Sequence, residues 1–96
     1  SDAAMRGRLR RLTDFLGAGE APIVMTTGTA VVHVAEELER MAASAAWSLG
    51  RRLVILSLSD DDTQLERGVL RLGFLPHSMV FPHARVILHH GGMGTT

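Results

Sequence analysis

The sequence contains no cysteine. That removes disulfides, thiolate metal sites and thiol nucleophiles together, and it accords with a reducing, cytoplasmic setting. Lysine is missing too: the ten basic residues are all arginine, and ten acids balance them to a formal net charge of zero. A balanced chain gives no reason to expect nucleic acid or an anionic membrane as a partner, and we read the arginine bias as compositional rather than chemical. No apolar run approaches the roughly 20 residues that a membrane span needs. The arginine-rich start (Arg6, Arg8, Arg10 and Arg11) lacks the apolar stretch of a signal peptide. What is present is an apolar content of 46% over 96 residues. That suits one small packed unit with a thin stability margin rather than a disordered tail.

Leu9, Leu12, Phe15 and Leu16 share one helical face with the arginines mostly opposite, as in a surface helix docked by its leucines. Gly17-Ala18-Gly19 stops it, and Pro22-Ile23-Val24-Met25-Thr26-Thr27 follows as a nearly continuous apolar run, the pattern of a strand covered on both faces. Gly28-Thr29 breaks that strand. A long helix then shows three-and-four spacing at Val31, Val34, Leu38, Met41, Ala45 and Leu49, with Ala42, Ala43, Ala45 and Ala46 allowing close approach to a sheet, Trp47 expected to pack in the core and Gly50 as its stop. Strands are expected at about 22–27, 53–58, 69–74 and 85–90, all parallel, with a short helical piece from His77 to His83. Ser59 to Thr63 reads as a solvated polar loop. The fold class is therefore α/β: a partial doubly wound, Rossmann-like parallel sheet of about four strands with flanking helices.

The chemistry concentrates in His89-His90-Gly91-Gly92-Met93-Gly94-Thr95-Thr96. Glycines allow a tight turn that brings backbone N–H groups close to an anion. A helix following such a turn would aim its positive end at the same point. A threonine hydroxyl and a histidine add donors for phosphate oxygens. The glycine spacing differs from the dinucleotide fingerprint, and a P-loop lysine is missing. By itself, then, the loop indicates only an anion at a strand-to-helix turn. A metal site built from His77, His83, His89 and His90 is disfavoured, because adjacent residues on a strand point to opposite faces.

The string HHGGMGTT (residues 89–96) is similar to the HHGGxGTT loop of bacterial UDP-glycosyltransferase-like enzymes, which corresponds to the HCGWNS loop of plant relatives. LGFLPHSMVFPHARVILHHGG (72–92) looks like the stretch that leads into that loop, and PIVMTTGT (22–29) resembles the first strand and glycine turn of the same domain. The blocks stand in the family's order, and the resemblance covers the chain from about residue 10 onward. It implies that residues 1–96 are a partial nucleotide-sugar-binding domain, the N-terminal half of the C-terminal domain of a two-Rossmann-domain glycosyltransferase.

Carried over position by position, the resemblance implies that His90 binds the diphosphate, and that Gly92, Met93, Gly94 and Thr95 hold the phosphates through backbone and hydroxyl. Phe74 stands where an aromatic stacks on the nucleobase, and Leu75 where main-chain atoms pair with the base. Gly28 and Thr29 match the small residues that face the diphosphate across the cleft. Plant relatives carry Trp and Gln where this chain has Phe74 and His77. The ribose-binding acid, the Asp-Gln pair that meets the sugar and the acceptor domain with its general-base histidine are not among these residues, so none is assigned as catalytic. The expectation is the donor-binding part of a glycosyltransferase that moves a sugar from a UDP or TDP carrier to a small or lipid-like acceptor. No metal or other cofactor is implied. Alone, the piece should be inactive, and its open sheet edge invites self-association. The alternative is a non-catalytic phosphate- or nucleotide-binding α/β module.

Overall fold

In a computed structural model, which describes residues 2–26, 32–57 and 64–89, the chain forms one sheet with a helix on each face. The elements are α1 (Asp2–Gly17), β1 (Ile23–Thr26), α2 (Val32–Leu49), β2 (Leu53–Leu56), β3 (Gln64–Glu66), β4 (Val69–Leu72) and β5 (Val86–His89). Between β4 and β5 lie two 3-10 turns, His77–Met79 and Phe81–His83. The sheet order is β3-β4-β2-β1-β5. β1, β2, β4 and β5 are mutually parallel, as their apolar runs and the strand–helix–strand order require.

Sequence patterning did not reveal β3, which pairs antiparallel with β4. The hairpin turn between them is Arg67-Gly68, with positive φ at both residues (51° and 79°). That is the pairing a two-residue primed turn demands, and Arg67 adopts it without being glycine or asparagine.

Alternation along the strands divides the apolar residues between two faces. Val24, Val54, Leu56, Leu70 and Leu72 join Leu12 and Phe15 of α1, with Leu75 and Val80 from the segment after β4. On the other face Met25, Leu53 and Ile55 pack against Ala46, with Leu38, Ala42 and Ala43 half-buried beside them. The leucine face of α1 is thus buried as its spacing indicates.

The long helix corrects one expectation. Val34, Met41, Leu49 and Trp47 are exposed, Trp47 to 68%. The residues that meet the sheet are Leu38, Ala42, Ala43 and Ala46, because small side chains let the helix axis come close to Leu53 and Ile55. Close approach by the alanine side carries the bulkier stripe out of the contact. Arg71, which interrupts the apolar run of β4, faces α2 and donates to Glu39 at 3.0 Å, with both side chains largely covered. Gly50, at φ 66°, ends α2: its N–H reaches Trp47 O at 3.1 Å, and that of Arg51 reaches Ala46 O at 2.8 Å. This is the double bond of a Schellman stop.

Arg52 ties α1 to the sheet. It donates to the carbonyls of Phe15 and Glu20 and lies over the Phe15 ring at 3.9 Å. The arginine therefore caps the C-terminal end of α1, where cations and donors are favoured. Arg52→Ala is expected to cost about 1–2 kcal/mol, the net of charged hydrogen bonds and a partly covered cation–π contact. Urea denaturation would read this as a lower midpoint at unchanged slope, and a loss under 0.3 kcal/mol would show that the contacts contribute nothing.

Candidate nucleotide-sugar site

In a parallel sheet every carboxyl end faces the same rim, and there open α/β sheets receive ligands. Here the register places Thr26 opposite both Leu56 and His89, and Leu56 opposite Leu72. The row Leu72, Leu56, Thr26, His89 forms that rim. Each sequence-assigned segment leaves from it: 27–29 follows β1, 73–77 follows β4, and the glycine-rich loop follows β5.

Of the assigned residues, Phe74 and Leu75 are described. Gly28, Thr29, His90, Gly92, Met93, Gly94 and Thr95 lie outside the described residues. Phe74 sits at the rim with its side chain 43% exposed, between the buried Leu72 and Leu75. Two fully covered leucines anchor the strand exit while the aromatic ring between them faces outward. Leu75 faces the core on the α1 side, which leaves its main chain as the part that can face a ligand.

Two neighbours of this segment carry no local sequence signal. Arg8 of α1 donates from Nη1 to the carbonyl of Phe74 at 3.0 Å, across 66 residues of chain. Phe81 stacks on His77 (centroids 4.6 Å apart, planes 19° apart) and meets the edge of His89 at 5.4 Å and 85°. The ring series His77–Phe81–His89 therefore joins the segment after β4 to the last residue of β5. Both arrangements are attractive ring geometries. On sequence alone, Arg8 looks like one of several arginines on a polar helix face, and Phe81 like part of a short helical piece.

Beyond the rim, Leu38, Met41, Ala42, Met25, Leu88 and His89 line an open cavity of about 260 Å³ beside β5. Val86, Ile87 and Leu88 on that strand are exposed. Among the described residues no helix is long and apolar enough to cross a membrane.

Comparison with known proteins follows this geometry. The chain is 37% identical over 86 residues to O-mycaminosyltylonolide 6-deoxyallosyltransferase of Streptomyces fradiae, covering 88% of this chain and 20% of that protein. It is 33% identical over 84 residues to an uncharacterised glycosyltransferase of Mycobacterium leprae, covering 85% of this chain and 20% of the relative. With a sterol 3-beta-glucosyltransferase of Arabidopsis thaliana the identity is 30% over 88 residues, 88% of this chain and 14% of the plant protein. Over most of its own length the chain is thus similar to named glycosyltransferases. It spans about a fifth of the length of the first relatives it matches. No family model matches the chain, and no solved structure matches it.

Proposed function

We propose that the rim at the carboxyl ends of β1, β4 and β5 is the donor site of a glycosyltransferase, holding a nucleoside diphosphate sugar. The observation that carries this reading is the register Thr26↔His89. It sets Thr26 and His89, which precede Gly28-Thr29 and His90–Thr95 in the chain, side by side, with Phe74 exposed at the same rim. In this reading Phe74 stacks on the base, Leu75 offers main-chain atoms to it, and Gly28, Thr29, His90, Gly92, Met93, Gly94 and Thr95 surround the diphosphate. Backbone N–H groups and a histidine placed there stabilise the charge that develops on the leaving diphosphate. A base from outside these residues takes the proton of the acceptor.

The donor is a UDP or TDP sugar, bound in the cytoplasm without a metal ion or other cofactor. The acceptor is small or lipid-like, in keeping with relatives whose names join a sugar to O-mycaminosyltylonolide and to a sterol. Residues 1–96 then form the N-terminal half of the donor domain, which binds without turning over.

Calorimetric titration of the chain with UDP and dTDP should give weak saturable binding, about tens of micromolar to millimolar. Phe74→Ala should weaken it about tenfold, since stacking of a base on an aromatic ring contributes roughly 1–3 kcal/mol. The melting temperature should hold, because the Phe74 ring is largely outside the core. Absence of nucleotide binding would defeat the donor-site reading. Binding indifferent to Phe74→Ala would defeat the stacking role, and sugar transfer by these residues alone would overturn the assignment of the general base to another part of the enzyme.

A further inference from the structure

We propose that Arg8 is a positioning residue of this site, fixing the peptide between Phe74 and Leu75 so that the base is read in one orientation. The inference rests on the donor-site reading above. Two contacts of Arg8 carry it. Its Nη1 donates to the Phe74 carbonyl at 3.0 Å. At Gly73, a Cβ would fall 2.9 Å from Cζ, Nε and Nη2 of Arg8, so the guanidinium lies against the glycine at a distance from which a side chain would displace it.

A guanidinium is planar, permanently charged and equipped with donors in a fixed fork, so one group can lie against Gly73 and still bond the next carbonyl. The peptide bond is planar, and no cis peptide is present among the described residues. In a trans peptide the C=O and N–H point in opposite directions. With the Phe74 carbonyl turned to Arg8, the N–H of Leu75 is turned away from α1. That N–H belongs to the main chain assigned to the base. Leu72 at 0% and Leu75 at 1% exposure clamp the two ends of the segment. What the leucines leave undetermined is the rotation of the peptide between them, and Arg8 sets it. Gly73 is the residue whose missing side chain admits the guanidinium.

The test uses four variants, Arg8→Ala, Arg8→Lys, Gly73→Ala and Phe74→Ala, and three probes: UDP, dTDP and inorganic pyrophosphate. Arg8→Ala should weaken both nucleotides about tenfold and leave pyrophosphate affinity within twofold, because only the base contact depends on the peptide rotation. Arg8→Lys keeps the charge but loses the planar fork, and should recover less than half of that loss on a logarithmic scale. Gly73→Ala displaces the guanidinium without removing it and should reproduce the Arg8→Ala pattern. The double variant of Arg8→Ala with Phe74→Ala should bind UDP no more than twofold worse than Phe74→Ala alone, since both changes remove the same base contact. Amide exchange at Leu75 should quicken in Arg8→Ala while the melting temperature stays within about 3 °C, because Leu12 and Phe15 keep α1 docked.

Equal nucleotide affinity in the wild type and Arg8→Ala would overturn the positioning role and leave the donor site standing. An equal loss for pyrophosphate would also overturn it, by placing Arg8 on the diphosphate. A wild-type chain that binds neither UDP nor dTDP would remove the donor site, and the role of Arg8 with it.

Discussion

His90→Ala is expected to lower affinity for UDP or dTDP roughly ten- to a hundredfold while leaving affinity for the free nucleoside unchanged. One charge-assisted contact to a phosphate contributes about 1.5–3 kcal/mol, and an unfilled place beside a buried oxygen costs a similar amount. His90 directly follows His89, which the sheet register sets opposite Thr26. The contrast between nucleotide and nucleoside isolates the phosphate contribution, and the melting temperature should move little. In the longer enzyme the same change should lower turnover as well, because charge on the diphosphate grows toward the transition state. A loss of UDP affinity under threefold, or an equal loss for uridine, would remove His90 from the diphosphate.

Leu72→Ala should produce the largest loss of stability, about 2–5 kcal/mol. Leu72 is 0% exposed, in the core that joins β2 and β4 to α1. Truncation there removes apolar burial and leaves a cavity that two rigid layers cannot close. Small domains have total stabilities of only about 5–15 kcal/mol, so the loss is a large share. The melting temperature should fall by roughly 10 °C or more, given about 4–8 °C per kcal/mol at this size. Leu72 also closes the rim just before Gly73 and Phe74, so nucleotide affinity should fall alongside stability. Trp47→Ala supplies the contrast: at 68% exposure it should change stability by under about 0.5 kcal/mol. A Leu72→Ala protein that melts within 3 °C of the wild type would show that this core relaxes far more than its packing implies.

The parallel strands and their approximate limits were legible because apolar runs such as Leu53-Val54-Ile55-Leu56 are short and bounded by polar or glycine residues; β2 is buried throughout, whereas Val86, Ile87 and Leu88 of β5 are exposed. The resemblance to glycosyltransferases was legible because the loop from His89 to Thr96 and the segment around Phe74 hold unusual residues in a fixed order. β3 was hidden: three residues carry too little period to declare a strand, and its turn uses Arg67 where the usual signal is asparagine or glycine. On α2 the alanines expected to allow close approach do meet the sheet at Ala42, Ala43 and Ala46, whereas Val34, Met41 and Leu49 of the apolar stripe and Trp47 are exposed. The stripe stood out because hydrophobicity ranks valine and methionine above alanine. Contact with a sheet also rewards small side chains, and that depends on how closely the helix axis approaches.

By itself the sequence determined the two helices and the four parallel strands, since these follow from local periodicity. The tertiary structure alone decided the strand order β3-β4-β2-β1-β5, the pairing of Thr26 with His89, and the contact of Arg8 with Gly73 and Phe74. These join residues far apart in the chain. Nothing in the neighbourhood of Arg8 marks it apart from Arg6 or Arg10; its partner is chosen by how the leucines and Phe15 of α1 dock on the sheet. Long-range register is set by the packing of whole faces, and a linear pattern does not encode which arginine that packing brings to a given carbonyl.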